Sequence, residues 1–426
     1  MASDEVQRRM FLRLAGAGAS VAALGRQAWA AESAAPSQPD RDYVEIVGVA
    51  GINSSLVQLK DGSLLSSDGR RSTDAGHTWS EAQSFGDGVS GAGIMRLQSG
   101  KLALVSPVGY AAGQMHLSGD EGKSWTLAGP IKTPGGPIYE LGDTMIQLES
   151  GRLLYCWDYN MAGNHPGLEY ETVTARGTWK GVSYDVEGHG HLPEYFAAGF
   201  SWSDDEGKSW TYGTWTNMPN VLMGWFDEAG VPNGNSGITP CGESSIVQTQ
   251  DGRVLIFGRS TVGRIVHSYS SDHGERWLPL LPTDLAASNS PPRLRRIPGT
   301  GDLLCIWNQV SGDEIRDGFR RGRLSSAISK DNGQTWENFK TIEACEGMSD
   351  AERVDPDAAI KPVLARQDVG ELPDGYAYYH YANICFADDR VYLMYARGYP
   401  QIGVAEQLLH QQEQVLRIYP LQWFYA

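Results

Sequence analysis

One eight-residue pattern, S-x-D-x-G-x-x-W, recurs five times and limits the fold more than anything else in the chain. It reads Ser72–Trp79, Ser118–Trp125, Ser203–Trp210, Ser270–Trp277 and Ser329–Trp336. Its residue types describe a turn. The aspartate can accept hydrogen bonds from turn N–H groups, and the glycine can adopt positive φ. The tryptophan offers a large face, expected to pack back on its own hairpin. Asp74, Asp120, Asp205, Asp272 and Asp331 therefore read as turn formers on the outside of a repeated unit, not as catalytic acids or calcium ligands.

A second element alternates with the boxes. "LVQLKDGSLL", "IMRLQSGKLAL", "MIQLESGRLLY", "IVQTQDGRVLIF", "LRRIPGTGDLLCIW" and "NICFADDRVYLMY" are each a hydrophobic run, a tight turn and another hydrophobic run. Paired runs around such a turn are a strong hairpin signal. Hairpin, strand, box and strand make a four-stranded unit, and six such units predict an all-β, six-bladed β-propeller with four antiparallel strands per blade. Radial closure removes the exposed edges of an open sheet. It also lets 426 residues, rich in glycine (51) and tryptophan (13), form one domain. Asp42–Ala50, "DYVEIVGVA", and the terminal "VLRIYPLQWFYA" are left over, so they are expected to pair and close the ring.

The N-terminal segment is of another kind. Arg8 and Arg9 precede Phe11 and Leu12, a small-residue apolar stretch follows, and Ala28-Trp29-Ala30 offers a cleavage site. This pattern predicts a twin-arginine export signal over residues 1–30 and a periplasmic or secreted protein. The apolar run is too short and too glycine-rich to span a bilayer, so no membrane span is expected in the mature chain. Residues 31–41 read as a polar lead-in and 42–426 as a single propeller domain. A formal charge of −16 removes the basic footprint expected of a nucleic-acid binder. The five cysteines, Cys156, Cys241, Cys305, Cys345 and Cys385, show no C-x-x-C spacing and read as isolated core residues, with no metal site or cofactor expected.

Boxes repeated through a six-bladed propeller resemble the sialidase (neuraminidase) superfamily, and the resemblance covers essentially the whole mature chain. It implies a sugar-binding site of three arginines, a tyrosine with a glutamate partner, and an aspartic acid. In "CGESSIVQTQDGRVLIFGRSTVGR" the glutamate and one arginine match Glu243 and Arg259, with Arg264 as the alternate. The turn at Asp251-Gly252 lies midway between the first two, which returns both side chains to one end of the sheet. A second arginine matches Arg321, with Arg320 and Arg323 beside it. The tyrosine matches Tyr381, with Tyr376, Tyr378 and Tyr379 as neighbours that could take its place.

The resemblance implies that guanidinium forks hold a substrate carboxylate. That charge repels a carboxylate nucleophile, so tyrosine attacks and Glu243 acts as its base. The first blade departs from the pattern. "GVAGINSSLVQL" has no arginine, and the shortened loop "SSDGRRSTD" leaves Asp68 as the candidate acid. Residues 158–200 exceed the repeat, and their His165, His189, His191 and Glu194 are further candidates, as is Trp225 for sugar stacking. The expected activity is hydrolysis of a sialic acid or another acidic sugar. A non-catalytic glycan-binding propeller and a lyase acting on uronate-containing glycans remain the alternatives.

Overall fold

The six hairpins of the sequence form the first two strands of six antiparallel sheets. The structure, a computed structural model, describes residues 43–49, 55–106, 113–133, 138–139, 145–160, 174–179, 182–187, 196–213, 242–360, 363, 373–402 and 408–426. The chain divides after Asp42; the segment before that point lies outside the described residues, and Tyr43–Ala426 forms one unit. Among the described residues no helix is long and apolar enough to cross a membrane.

Blade 1 joins Leu56–Gln58, Leu64–Ser66 and Arg71–Ser72, and blade 2 joins Gly93–Arg96, Leu102–Val105, Gln114–Ser118 and Thr126–Pro130. Blade 3 is Met145–Gln147, Leu153–Asn160, Phe196–Ser203 and Thr211–Tyr212, with Ile138–Tyr139 added along its second strand. Blade 4 is Gly242–Gln248, Val254–Arg259, Arg264–Ser270 and Leu281–Ala286. Blade 5 is Arg293–Arg296, Leu303–Trp307, Arg323–Ser329 and Glu337–Ala344. Blade 6 takes Tyr378–Ala387, Arg390–Ile402 and Leu408–Pro420, and its fourth strand is Val44–Val47 from the other end of the chain. Val44 pairs with Ile418 and Val47 with Val415, which is the closure expected from the two leftover strands. Within the extra segment of blade 3, Thr174–Trp179 and Val182–Glu187 pair as a separate hairpin.

Blades are sandwiched between neighbours, so their second strands bury both faces. Leu102–Val105 and Leu303–Trp307 are buried at every position, which is why they read as continuous apolar runs and not as alternating ones. Each such side chain contributes about 1.5–3 kcal/mol of burial. Six apolar clusters fill the six interfaces, among them one joining Leu56 and Leu64 of blade 1 to Tyr392 and Ile418 of blade 6. The ring is closed. Cys156, Cys305 and Cys345 are core residues of this kind.

The boxes do more than turn the chain. In the first, Asp74 accepts from the Thr78 amide at 2.9 Å and from its hydroxyl at 2.6 Å, while Ser72 Oγ accepts from Gly76 N at 2.8 Å. The same pattern recurs at Asp120, Asp205 and Asp331. The tryptophans, however, do not simply fold back on their own hairpins. Trp79, Trp125, Trp210, Trp277 and Trp336 each join a cluster shared with the preceding blade. At Gly333 (φ +89°) a Cβ would come within 2.5 Å of Leu255, a core residue of that preceding blade. The box is an inter-blade staple because a ring, unlike a lone hairpin, must bury both faces of every sheet.

Candidate functional site

Glu243 and Tyr381 occupy unusual backbone. Each lies near the start of the first strand of its blade, where the register breaks: between Gly242 and Ser245, and between His380 and Asn383. Nine described non-glycine residues have positive φ. Five are the residue after the aspartate in a box, Asp388 sits in a hairpin turn, and Asn338 follows the last box. The other two are Glu243 (φ +42°) and Tyr381 (φ +55°). Left-handed backbone costs an L-residue about 1–2 kcal/mol, and bulges re-aim side chains. The strain turns both side chains toward each other.

Tyr381 Oη donates to Glu243 Oε1 at 3.3 Å. The other carboxylate oxygen of Glu243 forms an ion pair with Arg259 Nη1, both side chains being largely buried. Arg259 Nε donates to Asn289 Oδ1 at 2.5 Å, and Arg321 Nη2 donates to the Asn289 carbonyl at 3.4 Å. One asparagine thus spans the two guanidinium groups. Arg321 also stands over the Tyr381 ring, 5.6 Å from its centroid, and its Nη1 lies 2.9 Å from His380 Nδ1. The Glu243 carboxylate and then burial push the Tyr381 hydroxyl above its ordinary range, against the opposing pull of Arg321 and Arg259. Burial pushes the Arg321 guanidinium down. A tyrosine so placed stays protonated near neutrality, with its proton on a hydrogen bond to the Glu243 carboxylate, a group able to accept it.

Buried polar groups brace the strained backbone. Asp158 accepts from the Glu243 amide through its carboxylate, and Arg293 Nε donates to the carbonyl of Ala382, next to Tyr381, at 3.0 Å. Asn308 Nδ2 donates to the carbonyls of Tyr379 (2.7 Å) and Arg323 (3.0 Å), tying the strand of Tyr381 to the segment of Arg321.

The remaining sequence candidates lie elsewhere or outside the described residues. Arg264 is committed to the carbonyls of Thr283 and Asp357. Asp68 makes its bonds within its own turn, accepting from Ser66 and pairing with Arg70 at 3.0 Å. Arg323 is buried against Glu314, 2.8 Å away. Tyr376, Tyr378 and Tyr379 belong to the apolar cluster between blades 5 and 6. His165, His189, His191, Glu194 and Trp225 fall outside the described residues. Among the described residues no group of His, Cys, Asp and Glu is arranged to hold a metal ion. Asn289, His380, Asp158 and Arg293 were not candidates from the sequence. They sit in loops or strands that no motif marks, and only the position of Asn289 before blade 5 and of His380 beside Tyr381 links them to the site.

Comparison with known proteins gives a family match over residues 94–407, to the BNR repeat-like domain. No curated protein sequence matches the chain. Among solved structures, a Dyadobacter fermentans protein of unknown function is similar at 14% identity and a TM-score of 0.47, over 89% of this chain and 95% of that one. A mutant α-L-arabinofuranosidase from Fusarium graminearum, in complex with an iminosugar inhibitor, is similar at 10% identity and a TM-score of 0.45, over 86% and 92%. A Trypanosoma rangeli sialidase in complex with 2,3-difluorosialic acid is similar at 12% identity and a TM-score of 0.43, over 90% of this chain and 54% of that one.

Proposed function

The chain belongs to the family of BNR repeat-like domains, and from that premise we propose that it is an exported glycosidase acting on an acidic sugar. One observation carries the reading: the Tyr381 hydroxyl meets the Glu243 carboxylate while Arg259 and Arg321 converge on Asn289 beside them. Tyr381 Oη attacks the anomeric carbon as its proton passes to Glu243, and the bond to the leaving glycosyl oxygen breaks. That oxygen takes its proton from an acid or from water. Water then attacks the anomeric carbon and breaks the tyrosyl–sugar bond; Glu243 returns its proton to the departing Tyr381 oxygen, and the proton lost by the water replaces the one given to the leaving group. Arg321 and Arg259 hold the substrate carboxylate by paired hydrogen bonds.

A panel of aryl glycosides of sialic acids, other keto-deoxy acids, uronic acids and neutral sugars tests this directly. Turnover is expected on an acidic member. Tyr381→Phe keeps the ring and should abolish turnover, and Glu243→Gln should slow it about 10²–10⁴-fold. Full activity of Tyr381→Phe would falsify the tyrosine mechanism. A glycan-binding role is the second reading, favoured by the first blade, which has no arginine between Asp42 and Gly69 and whose Asp68 is paired with Arg70. Tight glycan binding with no turnover of any member would select it, and an unsaturated, ultraviolet-absorbing product would select a lyase.

A further inference from the structure

The His380 imidazole touches an arginine of the site, and its protonation state follows from that contact. A guanidinium carries five donors and no acceptor. Arg321 Nη1 at 2.9 Å from His380 Nδ1 is therefore a hydrogen bond only when Nδ1 offers its lone pair. The imidazole must be neutral, with its proton on Nε2. The ring is 8% exposed and lies 4.7 Å from the Tyr381 ring and 5.0 Å from that of Tyr378, so packing limits its freedom to turn away.

We propose that His380 is a positioning residue that aims Arg321 at the acidic group of the substrate, and that protonating its imidazole releases Arg321. The substrate in this statement rests on the glycosidase reading; the bond between the two residues does not. Among the described residues, the charged and titratable groups that act on Arg321 are Tyr381, Arg259, Glu243 and its chain neighbour Arg320. Arg321 comes from blade 5, Tyr378 and Tyr381 share the strand of His380, and Arg259 and Glu243 lie beyond Tyr381 on blade 4. Arg397 on the adjacent strand pairs in register with Tyr379, one residue away, and is engaged by Glu413, Glu45 and Glu343. The guanidinium groups of Arg321, Arg259 and Arg320 thus stand near the carboxylates of Glu243 and Asp158. An imidazolium would add a further cation in direct contact with Arg321, and at that contact both groups would be donors. The contact cannot survive protonation.

The test pairs kinetics with a measurement that needs no substrate. In kcat/KM against pH, the wild type should show an acid limb. His380→Asn presents Oδ1 where the imidazole presents Nδ1 and does not titrate; it should keep KM within a few-fold at neutral pH and shift that limb, leaving only the part set by protonation of Glu243. His380→Phe keeps a packed ring without an acceptor. It should raise KM about 10-fold at all pH values with kcat little changed, the size expected for one lost bond to a charged group. An unchanged acid limb in His380→Asn, or an unchanged KM in His380→Phe, overturns the proposal. Nitrogen NMR of isotope-labelled histidine supplies the second arm. His380 should appear as the Nε2–H tautomer at neutral pH, and its titration should move to higher pH in Arg321→Met, where the neighbouring cation is gone. An Nδ1–H tautomer, or a titration indifferent to Arg321, overturns the proposal as well. If no glycoside is turned over, the glycosidase reading falls and the spectra alone decide the coupling.

Discussion

Asn289 shows how finely the site is set at the level of single residues. Its side-chain oxygen lies 2.5 Å from Arg259 Nε and its own carbonyl 3.4 Å from Arg321 Nη2, the donors that the proposed glycosidase reading assigns to a substrate carboxylate. Asn289→Asp would place a permanent carboxylate between the two guanidinium groups. Bonds of this charged kind are worth about 1.5–3 kcal/mol, so the variant should raise KM for an acidic glycoside about 10–100-fold. Steady-state kinetics on the active glycoside check it, and an unchanged KM would mean that the arginines do not bind the substrate through these atoms. The resemblance picked out Glu243, Arg259, Arg321 and Tyr381, and the structure brings these four side chains together. The sequence left Tyr381 among four tyrosines, because a strand pattern gives no sign of the bulge that puts φ at +55° there. Asn289, His380 and Asp158 had no match of that kind: their roles arise only when blades 3 to 6 meet.

At the scale of the element, the boxes link charge to stability. The Thr78, Ser124 and Ser209 side chains and amides, together with the box serines, hold the carboxyls of Asp74, Asp120 and Asp205 down to about 2, from an ordinary value of 3.8. A carboxyl depressed in the folded state stabilises it above the ordinary value, and the effect is lost as pH falls from about 4 to about 2. Thermal unfolding followed by circular dichroism should therefore show Tm dropping through that window. The triple variant Asp74→Asn, Asp120→Asn, Asp205→Asn should unfold at lower temperature at pH 7 yet lose less Tm between about pH 4 and 2. An equal slope in both proteins would mean that the boxes do not carry the acid sensitivity. The turn chemistry of the box was legible from eight residues. Its role between blades was not, because the partner of each tryptophan lies on the neighbouring blade, a blade earlier in the chain for four of them and in blade 6, at the other end, for Trp79. Blade 6 makes the point from the other side, with a 3₁₀ turn, Leu421–Phe424, where a box would stand. Trp423 and Phe424 pack into the cluster between blades 5 and 6, and Tyr425 Oη donates to Asp302 of blade 5 at 2.7 Å. A different sequence fills the same gap.

For the whole molecule, two predictions concern how it reaches its place and how its ring stays shut. On the proposed twin-arginine reading, Arg8→Lys with Arg9→Lys should leave unprocessed protein in the cytoplasm, since such a signal is read through its paired arginines; fractionation showing normal export would remove that reading. Closure depends on more than strand pairing. Glu45, on the strand that completes blade 6, meets Arg417 at 2.8 Å and Arg397 at 3.2 Å, and Arg417 reaches Glu343 of blade 5 at 2.6 Å. Burial alone would raise the Glu45 carboxyl, but Arg417 and Arg397 outweigh it and hold it below its ordinary value. The pairing of the two strand ends was legible from leftover strands, whereas this cluster was not, because its members come from residues 45, 343, 397 and 417. The Arg417 side chain is only 4% exposed, so it depends on its partners for compensation. Removing one partner of an isolated buried pair costs about 3–5 kcal/mol; Arg417 keeps Glu343, so losing Glu45 costs less than that, and removing both charges together costs less again. Glu45→Gln should accordingly lower the denaturant midpoint clearly. Glu45→Gln combined with Arg417→Met should recover part of that loss, since Arg397 still pairs with Glu343 at 3.2 Å. If the double variant is no more stable than Glu45→Gln alone, strand pairing and apolar packing shut the ring without help from these charges.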